Sequence, residues 1–180
     1  MSDALSPSTW NALRSSRGIY SLVLGTTLGS TIWHGLIGGP IAYRVLGRLK
    51  FGELQSSLFP KFFALQSTAS LALLGLYHRA GKLSRATLRS DRQAWMLVTM
   101  ALTGLLNWAV VGPWTTAVMR RRWRKEKIEG KEYNDPSASA DMKTLNKKFA
   151  KLHAASSLLN LAFMVSIIGH TAYVGTYGAL

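Results

Sequence analysis

Charged side chains are nearly absent from four stretches of the chain, Ile19 to Tyr43, Phe62 to Tyr77, Ala94 to Val111 and Leu152 to Tyr173, and crowd the segments between them. Each stretch approaches the ~20 residues that a helix rising 1.5 Å per residue needs to cross ~30 Å of hydrocarbon. The second reaches that length only with Leu58 and Phe59. A soluble four-helix bundle would carry a charged stripe opposite its apolar one, and these stretches lack it. The pattern therefore predicts an all-α polytopic membrane protein: a four-transmembrane-helix bundle with short interfacial amphipathic helices. Its single domain covers 19–176 with spans near 19–43, 58–77, 94–114 and 152–173, behind a polar arm at 1–18 and with a basic loop at 120–151.

Within the spans the pattern becomes finer. Ser21, Gly25 and Gly29 recur at four-residue spacing, a small-residue ridge that lets another helix approach closely, and Gly35 and Gly39 repeat the spacing further on. Gly38, Gly39 and Pro40 are expected to loosen or kink the end of the first helix. In residues 51–63, Phe51, Leu54, Leu58 and Phe62 lie opposite Glu53, Gln55 and Ser56, the spacing of a short helix in the interface before Pro60 opens the second span. Gly112 and Pro113 predict a break after which the third helix resumes. Residues 127–140, rich in small and turn-forming side chains, predict a mobile loop. Met142, Leu145, Phe149 and Leu152 oppose Lys143, Lys147, Lys148 and Lys151 in an amphipathic lead into the last span.

Charge sets the orientation. The chain has 180 residues, a formal net charge of +14 and no cysteine, so disulfides and thiolate metal sites are excluded. Seven Lys or Arg lie near the ends and in the loop 78–93, including Arg85 and Arg89; Asp3 is the one acid of the arm. Fifteen lie in the Arg44 to Lys61 connector and between Arg120 and Lys151. By the excess of cytoplasmic Lys and Arg, both termini face the lumen or exterior. The arm reads as a retained N-terminus rather than a cleaved signal. Arg120, Arg121, Arg122, Arg124, Lys147, Lys148 and Lys151 are expected to contact anionic lipid. With Trp123 as the only interleaved aromatic, the run does not suggest nucleic acid.

Little of the sequence points to chemistry. No nucleophile elbow, phosphate-cradling glycine loop or zinc-ligand helix motif occurs, and no carboxylate lies inside a span, so an enzyme, a cofactor and a metal centre are not expected. His34, Gln55, Gln66, Asn107 and Asn160 form a candidate polar interior. Interhelical hydrogen bonding is their ordinary use and a polar ligand the other. His153 reads as an interfacial group, and His170 as a further imidazole in the last span. Met96 and Met100 share a face, which suits packing or, less ordinarily, a soft metal.

Three blocks carry a resemblance. The run Phe51-Gly52-Glu53-Leu54-Gln55-Ser56-Ser57-Leu58-Phe59-Pro60-Lys61-Phe62-Phe63 is the first. Asn107, Gly112, Pro113, Trp114, Thr115, Thr116, Met119, Arg122 and Glu126 form the second, and Phe149, His153, Ser156, Leu158, Asn160 and Leu161 the third. In order and separation they resemble the family typified by transmembrane protein 205. Ala154 stands where that pattern has glycine. The resemblance implies a four-span domain of unknown function in endoplasmic reticulum or other secretory-pathway membranes, with hints of trafficking or export because its best-known animal member is associated with resistance to platinum drugs. The basic composition keeps a mitochondrial membrane as the alternative. The expected function is a non-enzymatic structural, assembly or trafficking component, acting as a homo-oligomer or with membrane-protein partners. A small-molecule or metal-complex transporter is the alternative.

Overall fold

Gly47, at φ 67° and ψ 174°, is the single non-helical residue between Gly39 and Arg79, and it reverses the chain. Side chains at similar sequence distances on either side of it meet in space: Tyr43 with Phe51 (5.2 Å between ring centroids), His34 with Phe59 (5.3 Å) and Phe62 (4.5 Å), and Thr31 with Gln66. Residues before and after Gly47 are thus the antiparallel arms of a helical hairpin. In a computed structural model, residues 7–84 and 90–180 are described, and no β-strand occurs among them. The helices are α1 (Pro7–Arg14), α2 (Ser16–Ile32), α3 (Gly39–Arg79), α4 (Arg92–Leu106), α5 (Gly112–Glu129) and α6 (Ala140–Tyr177).

A second hairpin has α4 and α5 as one arm and α6 as the other, turning at residues 130–139. Lys125 pairs with Asp141 (3.4 Å), Arg122 stacks on Phe149, and Asn107 donates to the Ser156 carbonyl (3.1 Å). The hairpins pack as an up-down-up-down bundle of four rods. Gly52 lies against Trp123, Gly104 against Ser67 and Gly112 against Phe63 where α3 meets α4 and α5, and Gly35 lies against Met164 where the first rod meets α6. Both hairpin turns lie at one end. At the other, Tyr20, Leu24, Leu73, Tyr77, Leu97, Phe163 and Ile167 form a packed cluster, with Tyr20 hydroxyl bonded to His170 and Tyr77 hydroxyl donating to Asp91.

Two π-helical segments, Trp33–Gly38 and Asn107–Val111, each end shortly before a proline, Pro40 or Pro113. A proline ring clashes with the carbonyl four residues back and supplies no N–H. Those carbonyls belong to Leu36 and Ala109, inside the widened turns, where one extra residue per turn absorbs the conflict. Thr115 Oγ1 also donates to the Val111 carbonyl (2.7 Å). The expected break at Gly112-Pro113 is therefore a bulge in a rod that continues.

Other expectations are corrected too. Residues 51–63 are not a separate interfacial helix: Pro60 lies inside α3, because Gly47 has already made the turn. Helices occupy most of 120–151, and what remains of the supposed mobile loop is pinned. Tyr133 N–H donates to Glu126 (2.9 Å), Asn146 to the Tyr133 carbonyl (2.6 Å), and Ser137 N–H and Oγ to Asp135 Oδ1 (2.7 and 2.6 Å), which holds that carboxyl below its ordinary range. Part of the polar arm is helical, in α1 and the start of α2, with Ser15 capping α2 by accepting from Gly18 N–H (3.1 Å). Among the described residues, no atom beyond their own turn of helix lies within 4 Å of where a side chain would begin at Gly25 or Gly29, so a packing role there needs a neighbouring molecule. Asp3, Arg85 and Arg89 lie outside the described residues.

The rod Arg92–Glu129 and the helix Ala140–Tyr177 are long and apolar enough to cross a membrane, with mean hydropathy 1.7 and 1.6 over their best windows. Only 17% of the second window is buried, whereas the core helix of a soluble protein is mostly buried. Leu158, Leu161, Val165 and Ile168 point outward while Thr31, Gln66, Ser70, Asn107 and His170 point inward.

Candidate functional site

The hairpin end of the bundle gathers the two basic connectors, and three turns of helix build it. From α3 come Arg48, Lys50, Gly52 and Glu53; from α5, Met119, Arg122, Trp123, Glu126 and Lys127; from α6, Phe149 and His153. The glycine at 52 is a geometric need. A Cβ there would lie 2.6 Å from Trp123 Cζ2 and 3.6 Å from Met119 Sδ, so only a bare backbone lets the indole lie across α3.

Arg122 is 8% exposed, unusual for a guanidinium. Its Cζ sits 4.5 Å from the ring centres of both Tyr133 and Phe149, and Arg48 covers the Tyr133 ring at the same 4.5 Å. Two cations so close repel, and Glu126 compensates: its Oε1 takes Arg48 Nη2 at 2.8 Å and Tyr133 N–H at 2.9 Å. The stack runs onward, since His153 lies parallel on Phe149 at 5.4 Å. Among the described residues Arg122 Nε has no hydrogen-bond partner. The arrangement clamps the 130–139 turn onto α5 and α6. It also corrects the expectation that Arg122 faces lipid, since the rings bury it; Arg120, Arg121, Arg124, Lys147, Lys148 and Lys151 are exposed.

Beside this clamp two adjoining clefts open, of about 530 and 650 Å³, sharing Glu53, Trp123 and Lys127. Arg48, Lys50, Lys131 and Glu132 line the first; Ser56, Ser57, Arg120 and Arg124 line the second.

The candidate polar interior divides between levels. Gln66 Nε2 donates to Asn160 Oδ1 (3.2 Å) and lies 3.4 Å from Thr31 Oγ1, joining three rods. Asn107 reaches the Ser156 carbonyl one turn away on α6, and its buried Oδ1 has no partner among the described residues. His34 follows Thr31 by three residues, wedged against Phe59 and Phe62, and its buried Nε2 has no partner among the described residues. Gln55 is not part of this belt. It sits eleven residues from Gln66, about 16 Å along α3, buried, with no partner for Oε1 among the described residues.

The blocks noted in the sequence largely serve this packing. Phe51 meets Tyr43, Phe59 stacks on Phe63 at 5.2 Å, and Ser56 bonds the Glu53 carbonyl (2.8 Å); Leu58 and Pro60 face outward. Met96 lies against Gly169 (3.6 Å from Sδ to where a Cβ would stand) and Met100 is in the packed cluster. No group of three His, Cys, Asp or Glu able to hold a metal occurs among the described residues. Sequence reasoning missed Tyr133, Asp91 and the Tyr20–His170 pair. Asp91 was findable: an Asp just before an apolar helical run is an N-cap signal, and it accepts from Gln93 N–H at 2.9 Å. Tyr133, in an aperiodic turn, gave none.

Fold and site together define an all-helical bundle with an apolar exterior on its last helix, a hydrogen-bonded polar belt inside and a basic end. The pattern of a family described as a domain of unknown function, DUF4149, matches residues 22–124, and the chain belongs to that family. The match runs from α2 into α5, so it includes the Gly47 turn, the Gly52 contact with Trp123 and Arg122. No solved structure matches the chain.

Proposed function

We propose that all four rods cross a bilayer and that this is a non-enzymatic integral membrane protein, a structural, assembly or trafficking component of an organelle membrane, related to transmembrane protein 205. The observation that carries the reading is the outer face of α6, where Leu158, Leu161, Val165 and Ile168 are exposed in a helix only 17% buried over its most apolar window. In water such a surface would drive association, whereas in lipid it is the ordinary exterior. The first two rods are more polar, yet their polar groups Thr31 and Gln66 are bonded inside the bundle, which lets them share the same solvent. The basic end, with both hairpin turns, faces the cytoplasm, and the termini face the lumen or exterior. The compartment is the endoplasmic reticulum or another secretory membrane, with a mitochondrial membrane as alternative. Gly25 and Gly29, bare within the chain, are offered to a second copy or a membrane partner.

Because the chain lacks cysteine, single cysteines map this directly. Lys50→Cys and Lys131→Cys should react with an impermeant maleimide from the cytoplasmic side, and Ser8→Cys and Lys82→Cys only from the other. Labelling of Lys50→Cys and Lys82→Cys from the same side would mean that α3 does not cross.

A second reading, transport of a small polar molecule or metal complex, draws on the unpaired buried atoms of His34, Gln55 and Asn107. It requires that Ala at His34 or Asn107 abolish transport without lowering protein level. Lower level with no transport defect returns these side chains to packing.

A further inference from the structure

We infer that the paired clefts around Trp123 form a binding site for a phosphate-bearing polyanion, with a phospholipid headgroup as its source. The inference rests on the bilayer reading above and narrows it, from a diffuse basic end to one built site.

Charge is the first reason. The clefts are lined by Arg48, Lys50, Arg120, Arg124, Lys127 and Lys131 against Glu53, Glu126 and Glu132. Arg48 and Glu126 are bonded to each other (2.8 Å), which leaves five cations facing two carboxylates. Among the described residues none of those five makes an ion pair, whereas nearby Lys125 is engaged twice, with Glu129 and Asp141. Unspent cations converging on one concavity are what a multiply charged anion requires.

Shape is the second. Trp123 separates the two clefts and is wedged against the bare backbone at Gly52, so its indole is a fixed wall. The clamp of Arg48, Arg122, Glu126 and Tyr133 holds the turn bearing Lys131 and Glu132 in place before any ligand arrives. Ser57, lining the second cleft, adds a hydroxyl donor, whereas the Ser56 hydroxyl is already donated to the Glu53 carbonyl. Lys147, Lys148 and Lys151 line neither cleft, although they are equally basic and exposed.

That contrast supplies the test. Full-length protein in mild detergent is titrated with short-chain phosphatidic acid, phosphatidylserine and phosphatidylcholine and followed by native mass spectrometry. Two triple variants each remove three positive charges from exposed positions: K50Q/R124Q/K127Q in the clefts and K147Q/K148Q/K151Q on α6. Wild type should prefer phosphatidic acid, whose phosphomonoester carries the most charge. At about fivefold per cation, the cleft variant should bind it on the order of 100-fold more weakly, and the α6 variant within about threefold of wild type. Equal losses in the two variants, or no loss in the cleft variant, would overturn the site. Competing inorganic pyrophosphate distinguishes the source: displacement of phosphatidic acid at comparable concentration assigns the cleft to a soluble polyphosphate, and failure to displace assigns it to lipid. A wild-type protein that binds none of these overturns the cleft alone, since the cysteine map tests the bilayer reading independently.

Discussion

Replacing Gly47 by Ala separates the hairpin from the most natural alternative, an unbroken helix from Gly39 to Arg79. No atom lies within 4 Å of where the new Cβ would stand, so contacts contribute nothing and the backbone decides the outcome. At φ 67° and ψ 174° an L side chain is strained, by about 2–3 kcal/mol in a region populated essentially by glycine. Ala also restricts the unfolded chain, which returns about 0.4–1 kcal/mol. The net expectation is destabilisation by about 1–2 kcal/mol. Gly75 supplies the control. It lies in the same helix, equally open, but with ordinary helical backbone, so Gly75→Ala should stabilise by about 0.5–1 kcal/mol. The two variants add the same methyl to the same element and are expected to differ in sign. Unfolding of purified protein in mixed micelles with rising sodium dodecyl sulfate, read by far-ultraviolet circular dichroism, measures both against wild type. If Gly47→Ala is as stable as Gly75→Ala, residue 47 is helical and the two-arm arrangement of α3 is wrong.

Two further outcomes follow from the polar contacts. Arg122→Lys keeps the charge but loses the planar stack on Tyr133 and Phe149, and should cost about 1–2 kcal/mol in the same assay while trypsin cuts faster after Lys131; wild-type stability and protection would show that the rings do not hold the guanidinium. In a double-mutant cycle, Gln66→Leu and Asn160→Leu should show a coupling of about 0.6 kcal/mol, the usual size for hydrogen bonds between membrane helices. A coupling of zero would mean that the amides do not meet.

The apolar windows alone placed four helical rods, because segment-averaged hydropathy survives any arrangement of the rods, but not their ends, since helix continues through most of 48–61 and 120–151. Clustered Lys and Arg alone placed the basic character of the connectors at 44–61 and 120–151, now seen side by side at the bundle's hairpin end. The Gln66 and Asn160 pairing was legible as a need for partners, since a buried amide must find one. Which partner it found was not. Three features belong to the tertiary structure. A glycine spaced like a packing motif is identical in sequence whether it faces a helix or open space, so Gly25 and Gly29 resembled contact positions while Gly52, Gly104 and Gly112 make the contacts. A proline reads as a helix start or break, yet Pro60 sits inside α3 and the π turns before Pro40 and Pro113 carry their rods onward. Arg122 reads as one cation in a basic run. Only the meeting of α5, α6 and the 130–139 turn puts it between two rings, and so leaves its neighbours free to form a charged cleft.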